Sequence, residues 1–316
     1  MINDKTINKM NRLLLYIPLL LILFLCALIT LWWRPDLDSN YLEKKYAQES
    51  SRFLSIDGVR LHYRDSGNSD LPTLVFIHGF GASLHTWEAW AQDLQKDFRV
   101  IRFDLPGFGL TGPEPTGNYS DDRVNEILIK LLDTANIQKA SIIGNSIGGR
   151  IAWYFAAKHP ERTEKLVLIS PDGFESPGLR YNNQPEIPWY LNAIKYIFPQ
   201  FLFKQNLELA YTNPSVLTKD LFERYYELAL YPGNRQAMLD RMRETVLKDP
   251  QLFLQSIKCP TLLLWGENDR MIPLSNAQDY LGLMPQATLQ VLSKIGHLPQ
   301  EESPNMSLPF LRAFLK

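Results

Sequence analysis

Cysteine is nearly absent from this chain: 316 residues contain only Cys26 and Cys259. Cys26 sits inside an apolar run and Cys259 lies far downstream beside Pro260, so no disulfide framework is expected. Neither cysteine has the spacing of a metal ligand. A dominant charge is also missing, since 33 Lys and Arg balance 34 Asp and Glu for a formal net charge of −1. That balance gives no reason to expect nucleic acid or a strongly charged partner. There is no internal repeat and no low-complexity tract. Apolar residues make up 45% and charged residues 21%, an ordinary globular balance in a chain long enough for one large domain with an insertion.

One long hydrophobic run is present. Leu13 to Trp33 read LLLYIPLLLILFLCALITLWW without a charge, and about 20 such residues cross a bilayer core as a helix. The run is too long for a cleaved signal core, no A-x-A site follows it, and Leu25 before Cys26 argues against a lipoprotein signal. Residues 1–34 are therefore expected to be an uncleaved transmembrane anchor, with Pro18 in its first turns and Trp32 and Trp33 at an interface. Lys5, Lys9 and Arg12 cluster before the span more tightly than Arg34, Lys44 and Lys45 follow it. This asymmetry puts the N-terminus in the cytoplasm and the following domain on the non-cytoplasmic side. Residues 35–52 are polar and read as a connector.

From residue 53 to 316 the pattern is that of an α/β domain. Phe53–Asp57 and Val59–Arg64 are strand runs joined by the turn signal Asp57-Gly58. Thr73–Ile77, Arg99–Phe103, Ala140–Gly144, Leu166–Ile169, Thr261–Trp265 and Thr288–Leu292 follow as short, near-continuous apolar runs. Such runs suit a parallel sheet with both faces covered, and helical patterns at Asp121–Ala135, Ile147–Lys158, Leu274–Leu281 and Asn305–Phe314 supply the cover. The expectation is a mostly parallel eight-stranded sheet with helices on both faces. Between Ile169 and Thr261 the rhythm breaks in an aromatic-rich stretch, too long for one crossover. This reads as a helical cap insertion at about 173–255. Most of its aromatics are expected to pack the cap's own core, and the rest to line an apolar pocket.

Gly144-Asn145-Ser146-Ile147-Gly148 follows a strand run and opens a helical pattern. The glycines permit a sharp turn that exposes the serine hydroxyl, and the helix N-terminus beside it favours developing negative charge. A serine nucleophile needs a base. Five histidines are available: His62 inside a strand, His85 and His159 at helix ends, and His78 and His297 just after strands. Parallel sheets place sites outside the carboxyl ends of their strands, which leaves His78 and His297. For the acid that orients the base, Asp269 after Leu262–Trp265 is favoured, since that acid holds the imidazole from a neighbouring strand end. Asp172 and then Glu267 are the alternatives. Asp104 precedes the serine and is expected to fix its own turn.

His78-Gly79-Phe80-Gly81-Ala82-Ser83, Asp104-Leu105-Pro106-Gly107-Phe108-Gly109, Gly144-Asn145-Ser146-Ile147-Gly148-Gly149, Trp265-Gly266-Glu267-Asn268-Asp269 and Gly296-His297 occur in that order. Together they resemble the α/β-hydrolase superfamily across roughly residues 53–316, and within it bacterial lipases and esterases and membrane-anchored monoacylglycerol lipases. The resemblance implies the chain order serine, acid, histidine, which selects His297 over His78. It also implies an oxyanion hole from the backbone N–H groups of Phe80 and Ile147, and no metal and no organic cofactor. The serine counts against haloalkane dehalogenases and epoxide hydrolases, which place an aspartate there. Asn145-Ser146 also resembles the C–C bond hydrolases of aromatic ring-fission pathways, which are typically soluble.

These readings give the expected activity. Ser146, His297 and Asp269 are expected to cleave a carboxylic ester at a membrane, with the acyl group of a lipid such as a monoacylglycerol. A C–C bond hydrolase and a non-catalytic ligand-binding homologue are the rival expectations.

Overall fold

The computed structural model describes residues 4–47 and 50–316, with the side chains of the first helix described from Tyr16 onward. Its centre is one eight-stranded sheet: β1 (Ser51–Ile56), β2 (Val59–Ser66), β3 (Thr73–Ile77), β4 (Arg99–Phe103), β5 (Ala140–Asn145), β6 (Thr163–Ile169), β7 (Thr261–Gly266) and β8 (Ala287–Leu292). The spatial order is β1-β2-β4-β3-β5-β6-β7-β8. β1 pairs antiparallel with β2 and β2 with β4, and every later pairing is parallel. β1 and β2 turn through Asp57 and Gly58, both at positive φ, as a tight hairpin requires.

Among the described residues twelve α-helices accompany the sheet: α1 (Asp4–Trp32), α2 (Ser39–Tyr46), α3 (Glu88–Leu94), α4 (Asp121–Thr134), α5 (Ile147–Lys158), α6 (Gln200–Glu208), α7 (Lys219–Ala229), α8 (Asn234–Glu244), α9 (Gln251–Ser256), α10 (Asn276–Leu283), α11 (Pro299–Glu302) and α12 (Pro304–Leu315). Strand alternation explains how both sheet faces are covered. In β3, Val75 and Ile77 join a core with Ile127 and Leu131 of α4 and Ile151 and Phe155 of α5. Leu74 and Phe76 face the other way, toward Trp90 of α3 and Leu311 of α12. β5 and β7 are buried at every position, which is why they read as unbroken apolar runs. α4 starts where Ser120 accepts the N–H of Arg123 and Asp121 and Asp122 occupy the first turn.

Between β6 and β7, a 3₁₀ turn at Trp189–Lys195 and helices α6 to α9 form the insertion over the sheet. Phe198, Phe203, Phe222 and Tyr226 pack together in it, so part of the aromatic excess serves the cap's own core.

The N-terminal expectation is modified in two ways. α1 begins at Asp4 rather than near Leu13, so Pro18 lies inside the helix and not in its first turns. Among the described residues no helix is long and apolar enough to cross a membrane. Part of the expected span, Leu13–Leu15, lies outside the described side chains. The residues read as a connector carry a helix of their own, α2, capped by Asp38. The end of α1 joins the cap directly: Trp33 and Ile197 form an antiparallel bridge, and Trp33 stacks on Tyr196 at 5.3 Å.

Candidate active site

The turn from β5 to α5 places Ser146 at φ 56°, ψ −124°, a conformation that few non-glycine residues adopt. The flanking glycines allow it by close packing. A Cβ on Gly148 would lie 2.3 Å from the carbonyl oxygen of Ile77, and one on Gly144 would lie 2.1 Å from that of Gly148. The Ser146 N–H donates to Ile169 O at 3.0 Å, and its carbonyl accepts from Gly149, Arg150 and Asp172, so its backbone is held on all sides.

His297 follows β8 and lines the same cavity wall as Ser146. Its Nδ1 lies 2.7 Å from Asp269 Oδ2. Asp269 Oδ1 accepts the N–H groups of Met271 at 2.8 Å and Ile272 at 2.9 Å. Burial pushes the Asp269 carboxyl up, but the hydrogen bond and charge of His297 and the Ile272 N–H outweigh it, and the group sits below the usual carboxylate range. An ionised Asp269 only accepts, so His297 Nδ1 carries the proton and Nε2 is left as an acceptor. Among the described residues no hydrogen bond links Ser146 and His297.

The alternatives are engaged elsewhere. Asp172 pairs with the buried Arg150 at 2.7 Å. Glu267 is exposed and accepts from Ser293 and from the Lys294 N–H. His78 donates from Nδ1 to Gly79 O at 2.7 Å and accepts the Leu105 N–H at Nε2 at 2.9 Å, so both ring nitrogens are used. Burial, only partly offset by the charge of Asp104, lowers the His78 pKa to about 4, which keeps the ring neutral. Asp104 does more than fix its own turn. It accepts the N–H groups of Leu84 at 2.7 Å and Leu110 at 2.8 Å, and it holds His62 Nδ1 at 2.7 Å.

Phe80 follows β3 and Ile147 opens α5; neither N–H finds an acceptor among the described residues. The Phe80 ring is partly exposed and packs edge-on to Phe108 at 5.1 Å. Ser146, His297, Phe80 and Gly79 surround one cavity of about 680 Å³, its open mouth included. The cap supplies the far wall through Phe203, Leu207, Tyr225 and Met238, with Met271 and Leu298 at the sides. Among the described residues no lysine or arginine lines it. Among the described residues no group of three or more His, Cys, Asp or Glu side chains is placed to hold a metal ion.

Residues 72–304 match the family model of the alpha/beta hydrolase fold. The chain belongs to this family.

The chain is also similar to individual proteins of differing activity. It is 29% identical over 285 residues to human epoxide hydrolase 4, covering 82% of this chain and 76% of that one. It is 29% identical over 273 residues to the 2-hydroxy-6-oxononadienedioate/2-hydroxy-6-oxononatrienedioate hydrolase 2 of Pseudomonas putida, covering 80% and 92%. Among solved structures, a meta-cleavage product hydrolase from Pseudomonas fluorescens superposes with a TM-score of 0.71 at 27% identity, covering 84% of this chain and 97% of that one. A membrane phospholipase A shares the fold with a TM-score of 0.71 at 24% identity, covering 99% and 98%.

Three features of the site carried no clear sequence signal. Asn145 Nδ2 donates to both Ile169 O and His297 O at 3.1 Å. His62 reaches Asp104 across the sheet. Glu301 and Glu302, four and five residues after the histidine, grip the cap. An acidic pair in the first turn of a helix was the only local hint of the last feature.

Proposed function

We propose that this hydrolase cleaves neutral carboxylic esters with an apolar acyl group, through Ser146, His297 and Asp269. His297 Nε2 takes the proton of the Ser146 hydroxyl as Oγ attacks the ester carbonyl. The N–H groups of Phe80 and Ile147 hold the resulting oxyanion beside the α5 N-terminus. His297 then gives the proton to the departing alcohol; in the second half it takes one from a water that attacks the acyl carbon, and it returns that proton to Ser146 Oγ as the Oγ–acyl bond breaks and the acid leaves. Asp269 fixes the imidazole tautomer and offsets its positive charge.

The observation that carries the ester reading is the cavity lining, which is mostly apolar and, among the described residues, free of Lys and Arg. A neutral acyl chain is at home there, whereas a dicarboxylate would lose its hydration without a cation in return. Lipid-derived esters, monoacylglycerols among them, fit this chemistry. The test is hydrolysis of nitrophenyl esters from acetyl to palmitoyl by the wild type and by Ser146→Ala. Turnover that rises with chain length and vanishes in the variant supports the reading; turnover that survives Ser146→Ala sinks the nucleophile.

A C–C bond hydrolase is the second reading. The similarity to the Pseudomonas putida enzyme and the Asn145-Ser146 pair favour it, since the same three side chains serve both reactions. Turnover of a ring-fission dienoate with no turnover of any ester would establish it.

We also propose that α1 tethers the enzyme to a membrane, with the catalytic domain on the non-cytoplasmic side. The apolar side chains of α1 support this: Leu19 to Leu25 are exposed in succession, hence on every face of the helix. Extraction of membranes at alkaline pH tests it on the full chain, and release into the soluble fraction would count against a spanning helix.

A further inference from the structure

The general base and the cap are joined through a buried carboxylate. Glu301 lies on α11, the single turn after His297, and its side chain is 6% exposed. Its Oε2 accepts the hydroxyls of Tyr211 at 2.6 Å and Tyr225 at 3.0 Å, and Oε1 accepts Arg224 at 3.2 Å. All three donors belong to the cap. Burial, with Glu301 adding to it, holds both phenols well above their ordinary pKa, so they remain donors.

Two more links run in parallel. Glu302 accepts the N–H of Gly296, immediately before the histidine, and the N–H of Asn213 in the cap, both at 2.7 Å. The His297 N–H itself donates to Ala210 O at 2.8 Å. On the acid side, Arg270 donates to Tyr211 O at 2.6 Å, one residue beyond Asp269. The cap segment around Ala210–Asn213 is therefore fastened to the loops of both Asp269 and His297.

This joint resists partial opening, because lifting the cap there would leave a buried carboxylate without donors. Leu207, Ala210 and Tyr225, on the fastened segment or bonded to Glu301, also line the cavity that faces Ser146. An acyl chain pressing on that wall thus presses on the element that aims His297. We propose that Glu301 is a positioning residue that makes the acyl-side wall and the base one mechanical unit, so that filling the cavity sets His297 in line with Ser146. The choice of substrate for its test rests on the ester reading above.

The test uses the full chain with Glu301→Gln and, as a milder change, Tyr211→Phe, whose ring does not line the cavity. kcat and KM are measured on nitrophenyl acetate and octanoate, beside the labelling rate of Ser146 by short-chain and long-chain alkyl fluorophosphonates. The expected result is a selective loss: kcat on octanoate falls about tenfold or more while acetate changes by less than about threefold. Labelling rates split in the same direction. Equal losses on both chain lengths, tracking a lower melting temperature, would show a merely structural carboxylate and overturn the proposal, as would no loss at all. A wild type that labels at Ser146 but turns over no ester defeats the ester reading, and the two labelling rates then decide the coupling by themselves. A wild type that does not label overturns both.

Discussion

The side-chain amide of Asn145 donates to the backbone carbonyl of His297 at 3.1 Å, so the residue before the serine holds the loop that carries the histidine. The same nitrogen donates to Ile169 O on the neighbouring strand, and Asn145 is fully buried. Distance between the serine turn and the histidine loop is thereby set by one side chain rather than by the two loops alone.

Asn145→Ala removes both hydrogen bonds and leaves the buried His297 carbonyl unpaired, while Ile169 O keeps the Ser146 N–H. Stability falls by about 1–3 kcal/mol, the range for an unsatisfied buried polar group. kcat falls more than KM rises, because the loss is one of alignment. Urea unfolding and steady-state kinetics on one ester measure both.

Asp269 and Asp172 separate cleanly by substitution. Asp269→Asn disturbs the imidazole tautomer and lowers kcat by about 10⁴-fold with the fold retained. Asp172→Asn removes one of the two carboxylates on the buried Arg150, the other being Asp121 at 2.9 Å. It lowers stability by about 1–3 kcal/mol and leaves most activity. Kinetics and thermal melts of the two variants side by side check the assignment, and the reverse pattern would transfer the acid's role to Asp172.

His78 predicts an acid limb of stability. Its folded pKa of about 4 lies below the ordinary value, so the folded state resists taking up its proton. The unfolded chain binds that proton below about pH 6.5, and stability therefore falls as the pH drops from there to about 4, where the loss levels off. The contribution is about 3 kcal/mol. Protonation also takes the Nε2 acceptor from the Leu105 N–H. His78→Gln flattens this part of the profile, which denaturant unfolding at a series of pH values measures.

Phe80 contributes to the proposed oxyanion hole through its backbone, so side chain and N–H separate experimentally. Phe80→Ala keeps the N–H and changes kcat less than about tenfold, with any effect falling on KM through the cavity wall. Phe80→Pro deletes the donor and lowers kcat by about 10²–10³-fold. Circular dichroism confirms that the comparison is between folded proteins. Equal effects of the two substitutions would remove Phe80 from that role.

Much of the architecture was legible because it is written at short range. β3 and β4 coincide with their apolar runs, and α5 with its helical pattern. The β5–α5 turn follows from two glycines around a serine, since only a short segment must satisfy that geometry. β6 and β8 began earlier than expected, at Thr163 and Ala287, because sheet pairing extends a strand past the end of its apolar run. α1 began earlier still, at Asp4, where helical propagation carries through polar residues that a hydropathy reading stops at.

The sequence by itself determined the α/β pattern, the insertion and the candidate serine, because periodicity and turn chemistry act between near neighbours. Tertiary structure decided which candidates meet, and it alone supplied Asn145 and Glu301 as partners. Asp269 meets His297 across 28 residues and Asn145 meets it across 152. Tyr211 reaches Glu301 across 90. A hydrogen bond between such positions depends on sheet order and on how the cap lies over it, and no local pattern encodes either.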